Sequence, residues 1–314
     1  MQSMLMIDTL LVSPLGELPL AAMGIATTII AFILGIQMAL ANGTQLVLSR
    51  AVGSGNIASL SKAFWSGLMI NSGIALIFWL LLTLFDTPLI RLLTDNIMLY
   101  QEIAEYLVIA KYIVLYTAIT QVIIALLNGL GKTKVPFKGY LIELPINAVC
   151  SYLLIHGYHF SDTLILEGIG FQGAAVGSVI AITVRLIYLG LYMHLSPDII
   201  ITKPSQDRSM LLNMRLHFIE IFPVAANVTI LSIGATVYQL LYSQLAINAY
   251  VAITLVMPWL RAGTQFITAW AHSSAIAISQ AIGSKKMDDL DKNVDISIDV
   301  AVVISVICAI LFAI

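Results

Sequence analysis

Charged side chains are scarce in this chain of 314 residues. Asp, Glu, Lys and Arg together supply 10% of the sequence, whereas 60% is hydrophobic and the mean hydropathy is +0.97. Because soluble domains carry about a quarter charged residues, this composition does not provide an ordinary water-facing surface. The net charge of -2 also offers no basic surface to nucleic acid, so we expect no nucleic-acid partner. The sequence therefore predicts an integral membrane protein with the lipid bilayer around it.

Cysteine is rare, and the usual catalytic motifs are missing. Cys150 and Cys308 lie in separate apolar stretches without metal-ligand neighbours, which predicts packing residues. The sequences His-x-x-Glu-His, Gly-x-Ser-x-Gly and Gly-x-x-x-x-Gly-Lys-Ser/Thr do not occur. We therefore expect neither an enzyme nor ATP-driven transport, and no cofactor or metal. A membrane-embedded enzyme is kept only as an alternative.

Long hydrophobic runs dominate what is there. A helix needs about 20 mostly apolar residues to cross a hydrocarbon core of roughly 30 Å. The first run is only about 20 Å long as a helix, and the last reaches the final residue, so we expect a partial chain cut at both ends. The sequence predicts an all-α membrane protein, without strands in these runs and with about nine transmembrane helices, namely Met1–Ser13, Leu18–Ala41, Ala63–Phe85, Ile103–Leu127, Pro136–Gly157, Gly170–Leu195, Leu216–Tyr242, Leu245–Trp270 and Asn293–Ile314.

The charges between these segments alternate from one side of the membrane to the other. If the connection after the second segment faces the cytoplasm, the connections on that side hold eleven of the fifteen Lys and Arg residues. The opposite side is mostly acidic, as the positive-inside rule predicts for a multi-pass protein of the cell (inner or plasma) membrane. We call the Lys- and Arg-rich side the basic end; its cations are Arg50, Lys62, Lys132, Lys134, Lys138, Lys203, Arg208, Arg215, Lys285, Lys286 and Lys292.

A short sequence near the start of the chain recurs near its end. Leu48–Ser54 reads LSRAVGS and Ile278–Ser284 reads ISQAIGS, each after an apolar helix and before a basic connection. We call the alignment that pairs Ser49 with Ser279 the repeat alignment. Six predicted helices separate the copies, and an even number preserves orientation, so the match predicts a parallel repeat of two lobes around a cavity. We expect an N-terminal lobe over residues 1–195, a polar linker over 196–213 and a partial C-terminal lobe over 214–314.

Five stretches in chain order carry a family resemblance: Ile7–Thr9 with Leu15–Leu18 and Leu20–Ala22, Asn42–Gly55, Asn128–Pro136, Pro145–Asn147 with Leu153–Gly157, and Gly170–Gly177. They resemble the MATE (multidrug and toxin extrusion) family, NorM/DinF-like, of the multidrug, oligosaccharidyl-lipid and polysaccharide exporter superfamily. The resemblance implies a twelve-helix fold of two six-helix lobes, of which this chain would cover late helix 1 to helix 9. It also implies secondary active efflux, in which H+ or Na+ is exchanged against small organic, often cationic, compounds by alternating access. We expect a monomer.

The candidate cation-coupling residues are Asp8, Asn147, Glu143 and Ser178. Asp8 stands in an apolar helix, where a carboxylate is costly and therefore a functional hypothesis by default. Glu143 and Asn147 are four residues apart and share a helix face. The resemblance makes the acid of helix 1 the coupling site, approached by polar residues of helix 5, and Asn147 matches such a position. Ser151 continues this face where some family members carry Asp. Glu143 is either a second carboxylate of the site or a residue near its cytoplasmic mouth.

Other positions depart from the family or leave the function open. Leu231 stands where the NorM branch carries Glu, so we do not expect a coupling site in the second lobe. Glu220 is predicted to pair with Arg215. A flippase for lipid-linked oligosaccharides is the alternative within the superfamily, and Arg185, Arg261 and Lys111 are the basic residues it would use, although Arg185 and Arg261 could equally pair with acids or snorkel. The sequence assigns no substrate-binding residues.

Overall fold

Ten α-helices make up most of the described part of the chain in the computed structural model. The structure describes the backbone of residues 2–160, 163–202, 209–242, 247–285 and 287–313. A 3-10 turn, Ser13–Leu15, follows the first helix, and a short antiparallel hairpin of β1 (Tyr158–Phe160) and β2 (Thr163–Leu166) joins α6 to α7. The helices are α1 (Gln2–Val12), α2 (Glu17–Gly53), α3 (Ile57–Leu84), α4 (Asp86–Leu93), α5 (Ile97–Gly129), α6 (Lys134–His156), α7 (Gln172–Leu195), α8 (Ser209–Tyr242), α9 (Ile247–Gly283) and α10 (Met287–Ala313).

The helices are those of a multi-pass membrane protein. Within the described residues, seven spans are long and apolar enough to cross a bilayer: α2, α3, α5, α6, α7, Met210–Leu231 of α8 and Leu290–Ile310 of α10. Large apolar side chains cover the outside of the bundle, and Leu10 and Phe32 are 73% and 63% exposed. The predicted all-α membrane fold with about nine helices is confirmed, since each predicted segment corresponds to one of the helices other than the short α4. The β1–β2 hairpin lies outside the long apolar runs.

Two expected boundaries are wrong by more than ten residues. The eighth segment does not end at Trp270, because α9 continues to Gly283. The second segment does not end at Ala41, because α2 continues to Gly53. The polar residues beyond Ala41 are therefore not in a loop, and several are buried. Ser49 donates to the Gln45 carbonyl at 2.7 Å, and Asn128 of α5 donates to Gln45 Oε1 at 3.1 Å.

Three buried clusters of described residues hold the helices together. One, in the half of the bundle away from the basic end, joins α1, α2, α5 and α7 around Met23 and Ile103. A second, near the basic end, joins α2, α3 and α5 around Leu48 and Phe64. A third, around Ile221, packs α8 against α2 and α3 and so connects the last three helices to those that precede them.

The predicted parallel repeat is visible in the helix boundaries. The repeat alignment carries Glu17–Gly53 (α2) onto Ile247–Gly283 (α9), and it carries the start of α3 at Ile57 onto the start of α10 at Met287. A left-handed backbone conformation recurs at paired positions, with φ of 65° at Gly55 and 57° at Lys285. Lys285 is the one described non-glycine residue with positive φ, which shows that the fold of the repeat overrides the local cost of that conformation.

The predicted linker is described only in part, because residues 203–208 lie outside the described ranges. Its first residues pack on α3: Trp65 Nε1 donates to the Thr202 carbonyl at 2.8 Å, and the Thr202 amide donates to Ser61 Oγ at 2.9 Å. The division at 1–195, 196–213 and 214–314 stays a prediction.

Candidate functional site

A buried carboxylate on α1 meets polar side chains of α6 and α7. Asp8 is 3% exposed. Its Oδ1 accepts hydrogen bonds from Ser151 Oγ at 2.9 Å and from Asn147 Nδ2 at 3.3 Å, both on α6. Its Oδ2 accepts one from Ser178 Oγ of α7 at 2.8 Å. We call Asp8, Asn147, Ser151 and Ser178 the Asp8 cluster.

Helix periodicity brings these residues to one point. On α6 the buried residues recur every fourth position, so Asn147 and Ser151 face the same neighbours. On α7, Gly177 precedes Ser178, and a β-carbon built on Gly177 would overlap Ser151 Oγ and lie 2.7 Å from the Ser151 amide nitrogen. Only glycine permits this approach of α7 to α6, which places Ser178 within reach of Asp8.

The cluster is rich in oxygen and incompletely bonded. Asn147 Nδ2 also lies 3.3 Å from Ser151 Oγ and 3.1 Å from Ser178 Oγ, whereas Asn147 Oδ1 is buried and has no hydrogen-bond partner among the described residues. Serine hydroxyls donate here to the carboxylate, but they can rotate and present lone pairs instead. Carboxylate, amide and hydroxyl oxygens are donors suited to hard cations. The arrangement therefore suits a single proton or a small hard cation.

Among the residues that the structure describes, no richer metal centre accompanies the cluster. Within the described residues there is no group of three or more His, Cys, Asp and Glu side chains that could hold a metal ion. A cation at this point would thus depend on one carboxylate and on neutral oxygens.

Glu143 lies one helical turn from Asn147 but has a different partner. Its Oε2 accepts a hydrogen bond from Arg185 Nη1 of α7 at 2.6 Å, and the two side chains are 1% and 2% exposed. The guanidinium of Arg185 also lies 4.5 Å from the centre of the Tyr140 ring. The sequence leaves open whether Arg185 binds a pyrophosphate, pairs with an acid or snorkels. The structure shows that it is the buried ion-pair partner of Glu143. The role of Glu143 in cation coupling stays a prediction.

Two contacts could not be predicted from the sequence: the approach of Tyr106 to Asp8 and the ion pair between Glu220 and Arg50. Tyr106 of α5 is 2% exposed, is stacked on Phe171 and lies near enough to Asp8 to interact electrostatically. An isolated tyrosine in an apolar helix gives no signal of this in the sequence. Glu220 pairs with Arg50 of α2 and not with Arg215, because α8 crosses α2 at that level. The side chain of Arg261 lies outside the described residues.

The chain matches known proteins over its first half and in its fold. The family model described as MatE matches residues 1–153. A probable multidrug resistance protein NorM of Agrobacterium fabrum is 28% identical over 192 residues, which is 60% of this chain and 39% of that protein. The multidrug resistance protein NorM of Burkholderia vietnamiensis is 25% identical over 188 residues, again 60% of this chain and 39% of that protein. The matches thus span about two fifths of the length of these curated relatives.

Solved structures extend the likeness to almost the whole chain. A crystal structure of a MATE protein in the bent conformation matches with a TM-score of 0.80 and 18% identity, over 99% of this chain and 71% of that one. An outward-facing multidrug resistance MATE transporter of the MOP superfamily matches with a TM-score of 0.78 and 18% identity, over 96% of this chain and 66% of that one. At these identities the structures establish the fold.

The fold is that of a multi-pass membrane protein in which the helices α2 and α3 recur as α9 and α10. The MatE match over residues 1–153, the NorM relatives and the fold together support a relation of this chain to the MATE family.

Proposed function

We propose that the protein is a secondary active exporter that couples the inward movement of H+ or Na+ to the outward movement of small organic, often cationic, compounds. The observation that carries the proposal is the Asp8 cluster: a buried carboxylate with three polar side chains and one unsatisfied amide oxygen. A buried charge costs free energy unless it is compensated, so it favours binding a positive charge.

The cluster would couple ion binding to conformation because its members belong to three helices. Asp8 is on α1, Asn147 and Ser151 are on α6, and Ser178 is on α7. A bound cation neutralises Asp8 and turns the serine and asparagine oxygens towards itself, which changes how α1 is held against α6 and α7. Such a ligand shifts the equilibrium between two conformations by the difference in its affinity for them. Alternation between openings on the two sides of the membrane then follows the ion.

Location and assembly form part of the same proposal. The basic end faces the cytoplasm, the membrane is the inner or plasma membrane, and the protein works as a monomer. The residues that bind the organic substrate are not assigned.

The alternatives are less well supported by the described residues. A flippase for lipid-linked oligosaccharides needs basic side chains available to a pyrophosphate. Arg185 is paired with Glu143, and Lys111 lies 5.6 Å from the centre of the Trp79 ring. A membrane-embedded enzyme stays an alternative without a catalytic sequence motif that supports it.

The test is transport by proteoliposomes that contain the protein, with an H+ or a Na+ gradient imposed separately. Asp8→Asn should abolish gradient-driven export of a cationic dye and leave the folded fraction unchanged. Glu17→Gln is the matched control, since Glu17 is an exposed carboxylate at the start of α2. Dye export by Asp8→Asn at the rate of the unmodified protein would overturn the assignment of the coupling site. Transport driven by one gradient and not by the other would identify the ion.

A further inference from the structure

Two glycines form a reciprocal contact where α2 and α9 cross at the basic end. A β-carbon built on Gly53 of α2 would overlap the carbonyl oxygen of Gln280 and lie 2.7 Å from its Cα. A β-carbon built on Gly283 of α9 would overlap the carbonyl oxygen of Arg50 and lie 2.9 Å from its carbonyl carbon. The repeat alignment pairs Arg50 with Gln280, and it pairs Gly53 with Gly283. The two helices therefore touch backbone to backbone about the axis of the repeat. We call this contact the glycine crossing.

Further contacts surround the glycine crossing and join the lobes at the same level. The side chain of Arg50 forms an ion pair with Glu220 of α8, and Gln280 Nε2 donates to the Gly129 carbonyl of α5 at 2.7 Å. Ser279, next to Gln280, is only 7% exposed. The basic end is thus closed between the helices of the first lobe and those of the second.

The form of this contact suits repeated opening. At the glycine crossing, the atoms nearest to a β-carbon on either glycine are all backbone atoms of the other helix or of its C-cap residue. Beyond the glycine crossing, α2 leads into α3 through Gly55 and α9 leads into α10 through Lys285, and both residues have a left-handed backbone conformation. Each lobe can therefore move with its own α2–α3 or α9–α10 turn intact.

We infer that the glycine crossing is the closure of the transport cavity at the basic end, and that α2 and α9 part there in the state that is open to the cytoplasm. This inference rests on the proposed alternating-access function. It adds that two pseudo-equivalent glycines set the balance between the two states, because any larger residue at either position is incompatible with the closed state and compatible with the open one.

The test uses the full chain purified in detergent, with Cys150 and Cys308 replaced by alanine and Ser279→Cys as reporter. The measured quantity is the rate at which a water-soluble maleimide labels that cysteine. Gly53→Ala and Gly283→Ala should each raise the rate roughly ten- to hundredfold, since overpacking of this size strongly disfavours the closed state. Gly35→Ala is the matched control on α2, because a β-carbon there meets nothing within 4 Å, and its labelling rate should equal that of the parent.

Cooperative thermal melting establishes that each variant is folded. Unchanged labelling in folded Gly53→Ala and Gly283→Ala proteins would overturn the inference. If both alanine variants fail to fold, Arg50→Gln carries the test, because it removes the ion pair beside the crossing without adding volume. A two- to fivefold rise is then expected for this exposed pair, and no rise would refute the closure.

The labelling result and the transport result can fail separately. If labelling rises in the alanine variants but the unmodified protein exports no dye under either gradient, the closure stands and the proposed function fails. If export depends on Asp8 but labelling does not respond to Gly53 or Gly283, the function stands and the closure must lie elsewhere.

Discussion

Replacing one member of the buried Glu143–Arg185 pair should destabilise the protein much more than replacing both. The two side chains are at most 2% exposed, so water cannot hydrate either charge when its partner is removed. Arg185→Met leaves the Glu143 carboxylate uncompensated, and such a loss costs about 3–5 kcal/mol.

The reverse replacement should cost less because Arg185 has a second partner. After Glu143→Met, the guanidinium still lies over the Tyr140 ring, 4.5 Å from its centre. A desolvated cation–π contact is worth about 2 kcal/mol, which leaves a cost of about 1–3 kcal/mol. The double variant Glu143→Met/Arg185→Met replaces the pair by apolar side chains of similar length and should lie within about 1 kcal/mol of the unmodified protein. The coupling free energy of the cycle is then at least about 3 kcal/mol.

The assay is equilibrium unfolding in mixed micelles, with SDS as the denaturant and far-UV circular dichroism as the signal. The matched control cycle replaces Arg50 and Glu220 by methionine, because that pair is 46% and 37% exposed and should couple by less than about 1 kcal/mol. Additive effects of Glu143→Met and Arg185→Met, with a coupling below about 0.5 kcal/mol, would refute the reasoning. They would mean that the two charges do not meet in the folded protein.

Two further predictions concern the Asp8 cluster. Gly177→Ala should weaken cation binding about tenfold or more, because the added methyl group displaces Ser151. Gly190→Ala in the same helix is the control, since its added methyl group meets nothing and should not change the affinity. Binding of 22Na+ and proton uptake by the purified protein measure the affinities, and equal affinities of the two variants would contradict the prediction. Glu143→Met/Arg185→Met should change cation affinity by less than about threefold, since Glu143 is engaged by Arg185; a loss as large as that of Asp8→Asn would place Glu143 within the site.

The membrane fold could be predicted because its cause is distributed along the whole sequence. Each long apolar run satisfies its own backbone as a helix in lipid, so length and composition are enough to predict the spans. The end of α2 could not be predicted in this way. Thr44 and Ser49 lower the local hydropathy, and only the neighbouring helices show that these hydroxyls are buried.

The part of the candidate site that could be predicted is the part that helix periodicity determines. The spacing of Glu143, Asn147 and Ser151 predicts one shared face, and the family resemblance brings Asp8 to it. What the sequence does not contain is the choice among partners. Glu143 is bonded by Arg185, 42 residues away, and Glu220 by Arg50, 170 residues away. These pairings depend on helix crossings that no local pattern specifies.

The repeat relates α2 and α3 to α9 and α10 in backbone but not in charge, and this asymmetry bears on the proposed mechanism. The repeat alignment carries Asp8 onto Tyr238 of α8, so the helix that corresponds to α1 has no carboxylate at the matching position. The described acidic side chains of the second lobe differ from Asp8 in their surroundings. Glu220 is paired with Arg50 at the basic end, and Asp291, Asp295 and Asp299 are exposed on α10. In the proposed cycle, the coupling ion needs to be bound by only one of the two expected lobes, provided that both lobes close on the same contact. The glycine crossing supplies that contact, because α2 of the lobe that holds Asp8 touches α9 of the lobe that lacks its counterpart.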